Sequence, residues 1–108
     1  MDYKRHADDL MAGKTVSFRP KGHSMEPKIS SGDLITVEPF TEKDYSVPVA
    51  EKGDIVFCRV GRNYYVHLVQ RVSQKLTDCR YQIGNNKNHT NGTIGRSNMF
   101  GKVVKVEK

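Results

Sequence analysis

No stretch of this chain is apolar for longer than a β-strand requires. The apolar runs are strand-sized, Leu34-Ile35 and Ile55-Val56-Phe57-Cys58 among them, and they are bounded by Pro20, Pro39, Gly53 and Gly61. Such punctuation excludes long helices and a membrane-spanning segment of about 20 apolar residues. Val16 and Phe18 alternate with Thr15, Ser17 and Arg19, which is the period of a half-buried strand. Strands are expected over residues 14–19, 34–38, 54–60, 64–72, 80–83 and 101–106. Gly61-Arg62-Asn63 joins the third and fourth as a hairpin.

Between these strands lie turns. Residues 22–33 hold Gly22, Pro27, Ser30, Ser31 and Gly32, and read as a loop or one helical turn. Residues 40–53 form a long polar connection. Residues 84–98 contain three glycines and five asparagines, a turn composition. Residues 2–12 read as a short helix that Asp2 caps and Gly13 stops. The expected fold is therefore all-β, a small barrel or ribbon of about six short strands with one short N-terminal helix. Residues 1–13 form an N-terminal helix or arm, and residues 14–108 the main domain.

The chain has 108 residues, enough for one core and too few for two. Apolar residues make up 36%, charged residues 28%, and the mean hydropathy is −0.65, as in a globular domain under a polar surface. Asp2, Asp8 and Asp9 sit in a terminus without an apolar core, so no secretory signal is read and a cytoplasmic location is expected. The two cysteines, Cys58 and Cys79, lack histidines at zinc-site spacing and read as buried free thiols. No metal or cofactor is expected. The net charge of +6 favours anionic partners, but the basic residues are scattered, with Arg59, Arg62 and Arg71 around one hairpin. Weak contact with nucleic acid through this surface is the most that charge supports.

Ser24 is the first residue singled out for chemistry. Gly22 permits a sharp turn, Met25 offers an apolar anchor and Pro27 stiffens the far side. A serine fixed in such a loop can present its hydroxyl, and its backbone N–H can face a developing oxyanion. His67, on the strand over residues 64–72, is the second. A histidine takes a proton from serine near neutral pH with almost no tuning, whereas a lysine must first be shifted by several units.

Gly22-His23-Ser24-Met25-Glu26-Pro27, Ile29 and Gly32-Asp33-Leu34-Ile35 resemble the nucleophile box of the LexA/signal-peptidase superfamily of serine peptidases. Gly53-Asp54-Ile55-Val56, the strand bearing His67, Gly84-Asn85-Asn86 and Gly101-Lys102-Val103-Val104 follow in family order and span residues 15–106. The resemblance implies that Ser24 is the nucleophile and His67 the base, as in endoplasmic-reticulum-type signal peptidases, where bacterial members use lysine. It implies a nucleophile and oxyanion loop containing Gly22, His23, Met25 and Pro27. Histidine-using members orient the base with aspartates at or after the Gly84 turn. This chain offers Asn85 and Asn91 instead, which hold an imidazole without charge. Asp33 and Asp54 are expected to serve turns, and His6 and His89 to be exposed.

Two functions are expected on this basis. One is a small soluble serine peptidase using Ser24 and His67 on itself or on a protein or peptide partner. The other is a non-catalytic β-module on the same scaffold that binds a protein or a nucleic acid. Ala12-Gly13 matches the kind of bond that LexA-type proteins cut in themselves, but it lies nearer the serine than the family's cleavage loop. Family members pair through the C-terminal strand, so a homodimer through residues 102–106 is the expected self-association, with no membrane partner.

Overall fold

The computed structural model describes residues 2–108. One helix, α1 (Tyr3–Met11), precedes seven strands: β1 (Val16–Phe18), β2 (Leu34–Pro39), β3 (Ile55–Val60), β4 (Asn63–Gln74), β5 (Cys79–Gly84), β6 (Thr90–Ile94) and β7 (Met99–Glu107). A 3-10 turn at Arg96–Asn98 leads into β7. The all-β expectation with one short helix holds, and the strand count rises from six to seven. The added strand is β6, inside the segment expected to be turns. Asn91 and Gly92 are poor strand formers, but Tyr81, Gln82 and Ile83 of β5 pair with Ile94, Thr93 and Gly92. Ladder pairing here outweighs local propensity.

All pairings are antiparallel, in the order β1-β2-β7-β3-β4-β5-β6. β1 and β6 end the order, so the sheet is open and not a closed barrel. The C-terminal strand β7, through which self-association is expected, lies inside the sheet between β2 and β3. It pairs with β2 over Gly101 to Glu107 and with β3 over Met99 to Lys102. Its Val103 and Val106 pair with Val37 and Ile35 of β2, both fully buried.

β3 explains the one unbroken apolar run. Val56, Phe57 and Cys58 are all 0% exposed. Phe57 packs with Phe18, Met25, Ile29 and Phe100, whereas Val56 and Cys58 pack with Val69, Tyr81 and Met99. Successive side chains point to opposite faces, so a strand covered on both sides must be apolar at every position. Burying a side chain as large as Phe57 contributes roughly 1.5–3 kcal/mol.

Helix α1 covers the first of these clusters. The Asp2 carboxylate accepts the Arg5 N–H at 3.1 Å, an N-cap. Ala7 and Leu10, three residues apart, are buried on one stripe. Tyr3 meets Phe18 edge-on at 5.9 Å, and the His6 ring stacks on Phe18 at 4.5 Å. His6, expected to be exposed, is thus half-buried by an aromatic contact that no local pattern encodes.

Candidate active site

The loop between β1 and β2 carries Ser24, and several elements fix it. Met25 and Ile29 are buried in the core, and Ile29 N–H donates to Met25 C=O at 3.1 Å, closing one helical turn. Gly22 adopts φ +115°, a left-handed conformation that a side chain would strain. Arg19 closes the base of the loop by donating to Gly32 C=O at 2.7 Å. From the β5–β6 turn, Asn86 donates its backbone N–H to Ser24 C=O at 3.0 Å and its side-chain Nδ2–H to Glu26 C=O at 2.9 Å. From the end of the chain, Lys108 Nζ donates to Pro27 C=O at 3.1 Å, Lys28 C=O at 3.0 Å and Asp33 Oδ2 at 2.8 Å. Asp33 also accepts the Ser30 N–H at 2.8 Å. Lys108 first, then Ser30, holds the Asp33 carboxyl below its ordinary value.

His67 lies on β4 opposite Val56 of β3 and is 7% exposed. Its Nε2 is 2.9 Å from Ser24 Oγ, and its Nδ1 is 2.6 Å from Asn91 Oδ1. An amide oxygen only accepts, so Nδ1 carries the proton and Nε2 is left to accept from the serine hydroxyl. Burial pushes the His67 pKa down, against the upward pull of the Asn91 bond, and nearby His89 adds to the lowering. The imidazole is therefore neutral at neutral pH, the state a general base requires.

Ser24, His67 and Asn91 meet in a cavity of about 410 Å³ whose apolar wall includes Tyr3, Met25 and Tyr65. The remaining expected residues fall around it. Gly22 and Asn85 line the cavity. Met25 anchors the loop from beneath, and Pro27 follows a cis peptide bond. His23 turns outward and donates Nδ1–H to Glu26 at 3.0 Å. Asn85 does not reach the imidazole. Its side-chain oxygen accepts the Lys87 and His89 N–H groups at 2.8 and 3.0 Å, the work of a turn residue. A side chain at Gly84 would collide with Gln70 and the His89 carbonyl, which brings the turn close to β4. Asp54 accepts the Glu51 N–H at 2.9 Å, also a turn bond. Both aspartates reach backward three residues, not forward as in an Asx turn.

Sequence reasoning missed Asn86 and Lys108 as clamps on the Ser24 loop. Asn86 had a signal, its place in the Gly84-Asn85-Asn86 motif. Lys108 had none, since only β2–β7 pairing carries it to Asp33. Ala12 and Gly13 belong elsewhere. They line a separate cavity with Phe40, Tyr45 and Arg96. Ala12 N–H donates to Asp8 C=O at 3.0 Å and Gly13 N–H to Leu10 C=O at 2.9 Å, so their peptide is tied into the end of α1.

An open antiparallel sheet with a loop-borne serine against a strand-borne histidine is the architecture of a serine-peptidase-like domain. The family model described as Peptidase S24-like matches residues 2–104, and the chain belongs to that family. No curated protein matches it. Among the described residues no helix is long and apolar enough to cross a membrane.

Proposed function

We propose that the chain is a serine peptidase that cuts a protein or peptide substrate with Ser24 as nucleophile and His67 as general base. The observation that carries this reading is the pair of contacts on one imidazole, Ser24 Oγ on Nε2 and Asn91 Oδ1 on Nδ1. His67 takes the hydroxyl proton as Oγ attacks the scissile carbonyl, then gives it to the leaving amine. Water repeats the sequence on the acyl-enzyme. Among the described residues no acceptor engages the Ser24 N–H, so it is free to donate to the oxyanion. Membership of a peptidase-like family supports the same reading.

The substrate is another chain or another segment, because a cut at Ala12–Gly13 would require the end of α1 to unwind first. The test is mass spectrometry of digests made by the purified chain, by Ser24→Ala and by His67→Ala. Cleavage by the wild type alone is expected, and identical products from all three would sink the assignment.

A further inference from the structure

The candidate site lacks a carboxylate. None of the residues lining the cavity around Ser24 is Asp or Glu, and Asn91 is neutral. Proton transfer from serine nevertheless makes His67 a cation in a half-dry pocket, where an unpartnered charge is expensive. Besides the Asn91 oxygen on Nδ1, one group faces the ring itself with negative electrostatic potential. The Tyr65 ring stacks on the imidazole with centroids 4.7 Å apart and planes at 30°. Residues 65 and 67 share a face of β4 because strand side chains repeat every second position. Tyr65 sits opposite Cys58 on β3 and packs against the core containing Cys58 and Val69, which holds its ring in place.

We propose that Tyr65 is a positioning residue whose ring face stabilises the imidazolium of His67, taking the electrostatic part that an aspartate would otherwise play. A cation within about 6 Å of an aromatic centroid is attracted by the ring quadrupole, more so when desolvated. Four other titratable side chains lie around the site, none of them a carboxylate. They are His89 from the β5–β6 turn, Lys21 from the nucleophile loop, Tyr3 from α1 and Tyr64 on β4. Of these, His89 opposes the charged form of His67. The Tyr65 phenol ring is thus, among the described residues, the only feature of the cavity wall stacked on the imidazole plane that favours its charged form.

The inference rests on His67 being the base, but its test reads the charge of His67 without any substrate. The intact chain, labelled with ¹³C and ¹⁵N, is titrated by NMR through the His67 imidazole signals, with His6, His23 and His89 as internal controls. Tyr65→Leu is expected to lower the His67 midpoint by about half a pH unit or more, and Tyr65→Phe to leave it near the wild-type value. A pentafluorophenylalanine at position 65 keeps the ring shape and reverses the polarity of its face. It is expected to lower the midpoint relative to Tyr65→Phe, and it carries the test if the leucine variant does not fold. An unchanged midpoint in the fluorinated variant, or equal drops for Phe and Leu, overturns the proposal. If the midpoints shift as expected while Ser24-dependent cleavage is absent, the peptidase reading fails alone.

Discussion

Asn91 Oδ1 stands 2.6 Å from Nδ1 of His67 and fixes which ring nitrogen bears the proton. The bond sets the tautomer but adds no charge, which separates orientation from electrostatics in this site. Asn91→Leu removes the orientation, and kcat is expected to fall by about 10²–10⁴-fold with little change in KM. Asn91→Asp keeps the acceptor and adds an anion, so it is expected to raise both the His67 pKa and kcat. Steady-state kinetics on a peptide substrate distinguish the two, and a faster leucine variant would remove Asn91 from the machinery.

The pH dependence follows from burial of His67. Its folded pKa lies below the ordinary 6.5 because desolvation outweighs the Asn91 bond. Only the neutral ring accepts the serine proton, so the acid limb of kcat/KM should have its midpoint below that value. Stability moves in the same direction. Between the folded and unfolded pKa values the unfolded chain binds more protons, so stability falls as pH drops from 6.5 through the folded value. Urea titrations between pH 5 and 8 on wild type and His67→Gln isolate this contribution. A loss of equal size in both proteins would assign it to other groups.

Ser24 and His67 were legible in the sequence because the chain carries their surroundings as ordered motifs, with glycines and prolines at fixed places. The strands were legible for a simpler reason, since Val16, Phe18 and the Ile55–Cys58 run report burial directly. Asn91 could not be separated from Asn85 in this way. Both are asparagines in a turn-like composition, and their roles depend on a register shift in the β5–β6 ladder, after Ile83 pairs with Gly92 and before Gly84 pairs with Thr90. That irregularity spares Asn91 from simple alternation. The Tyr65–His67 stack and the Lys108 clamp are likewise products of pairing, and local propensity has no access to them.

The two thiols should be inert in the folded protein. Burial pushes the Cys58 thiol up to about 12, so almost no thiolate exists at pH 8. Cys79 is also fully buried, and its Sγ–H donates to Ser46 C=O at 3.4 Å. Iodoacetamide at pH 8 is expected to modify neither residue in buffer and both in denaturant, read by intact mass. Rapid modification of Cys58 in buffer would contradict its place in the core.

Lys108 ties the end of β7 to the Ser24 loop through Asp33 and two carbonyl oxygens. Asp33 has a folded pKa below its ordinary 3.8, so its contribution is present above that value and is lost as pH falls through the folded one. Lys108→Met is therefore expected to melt at a lower temperature than wild type at pH 7. The difference should shrink as acid protonates Asp33. A gap independent of pH would mean that the carbonyl contacts alone matter.

Asn86 joins the two halves of the candidate site. Its backbone N–H holds Ser24 C=O, and its side chain holds Glu26 C=O on the far side of Ser24. The backbone bond survives any substitution but proline, so a side-chain change removes only the second contact. Asn86→Ala is expected to cost about 1 kcal/mol of stability, the worth of one hydrogen bond in a partly buried setting. The effect on chemistry should exceed that, because a loop free to drift by an ångström no longer keeps Oγ within 3 Å of Nε2. A fall in kcat of about tenfold or more beside so small a stability loss is the expected signature. Asn86→Ser, short but still polar, should recover little, since its hydroxyl does not span the distance to Glu26. Full activity in the alanine variant would show that the core contacts of Met25 and Ile29 suffice to place the serine.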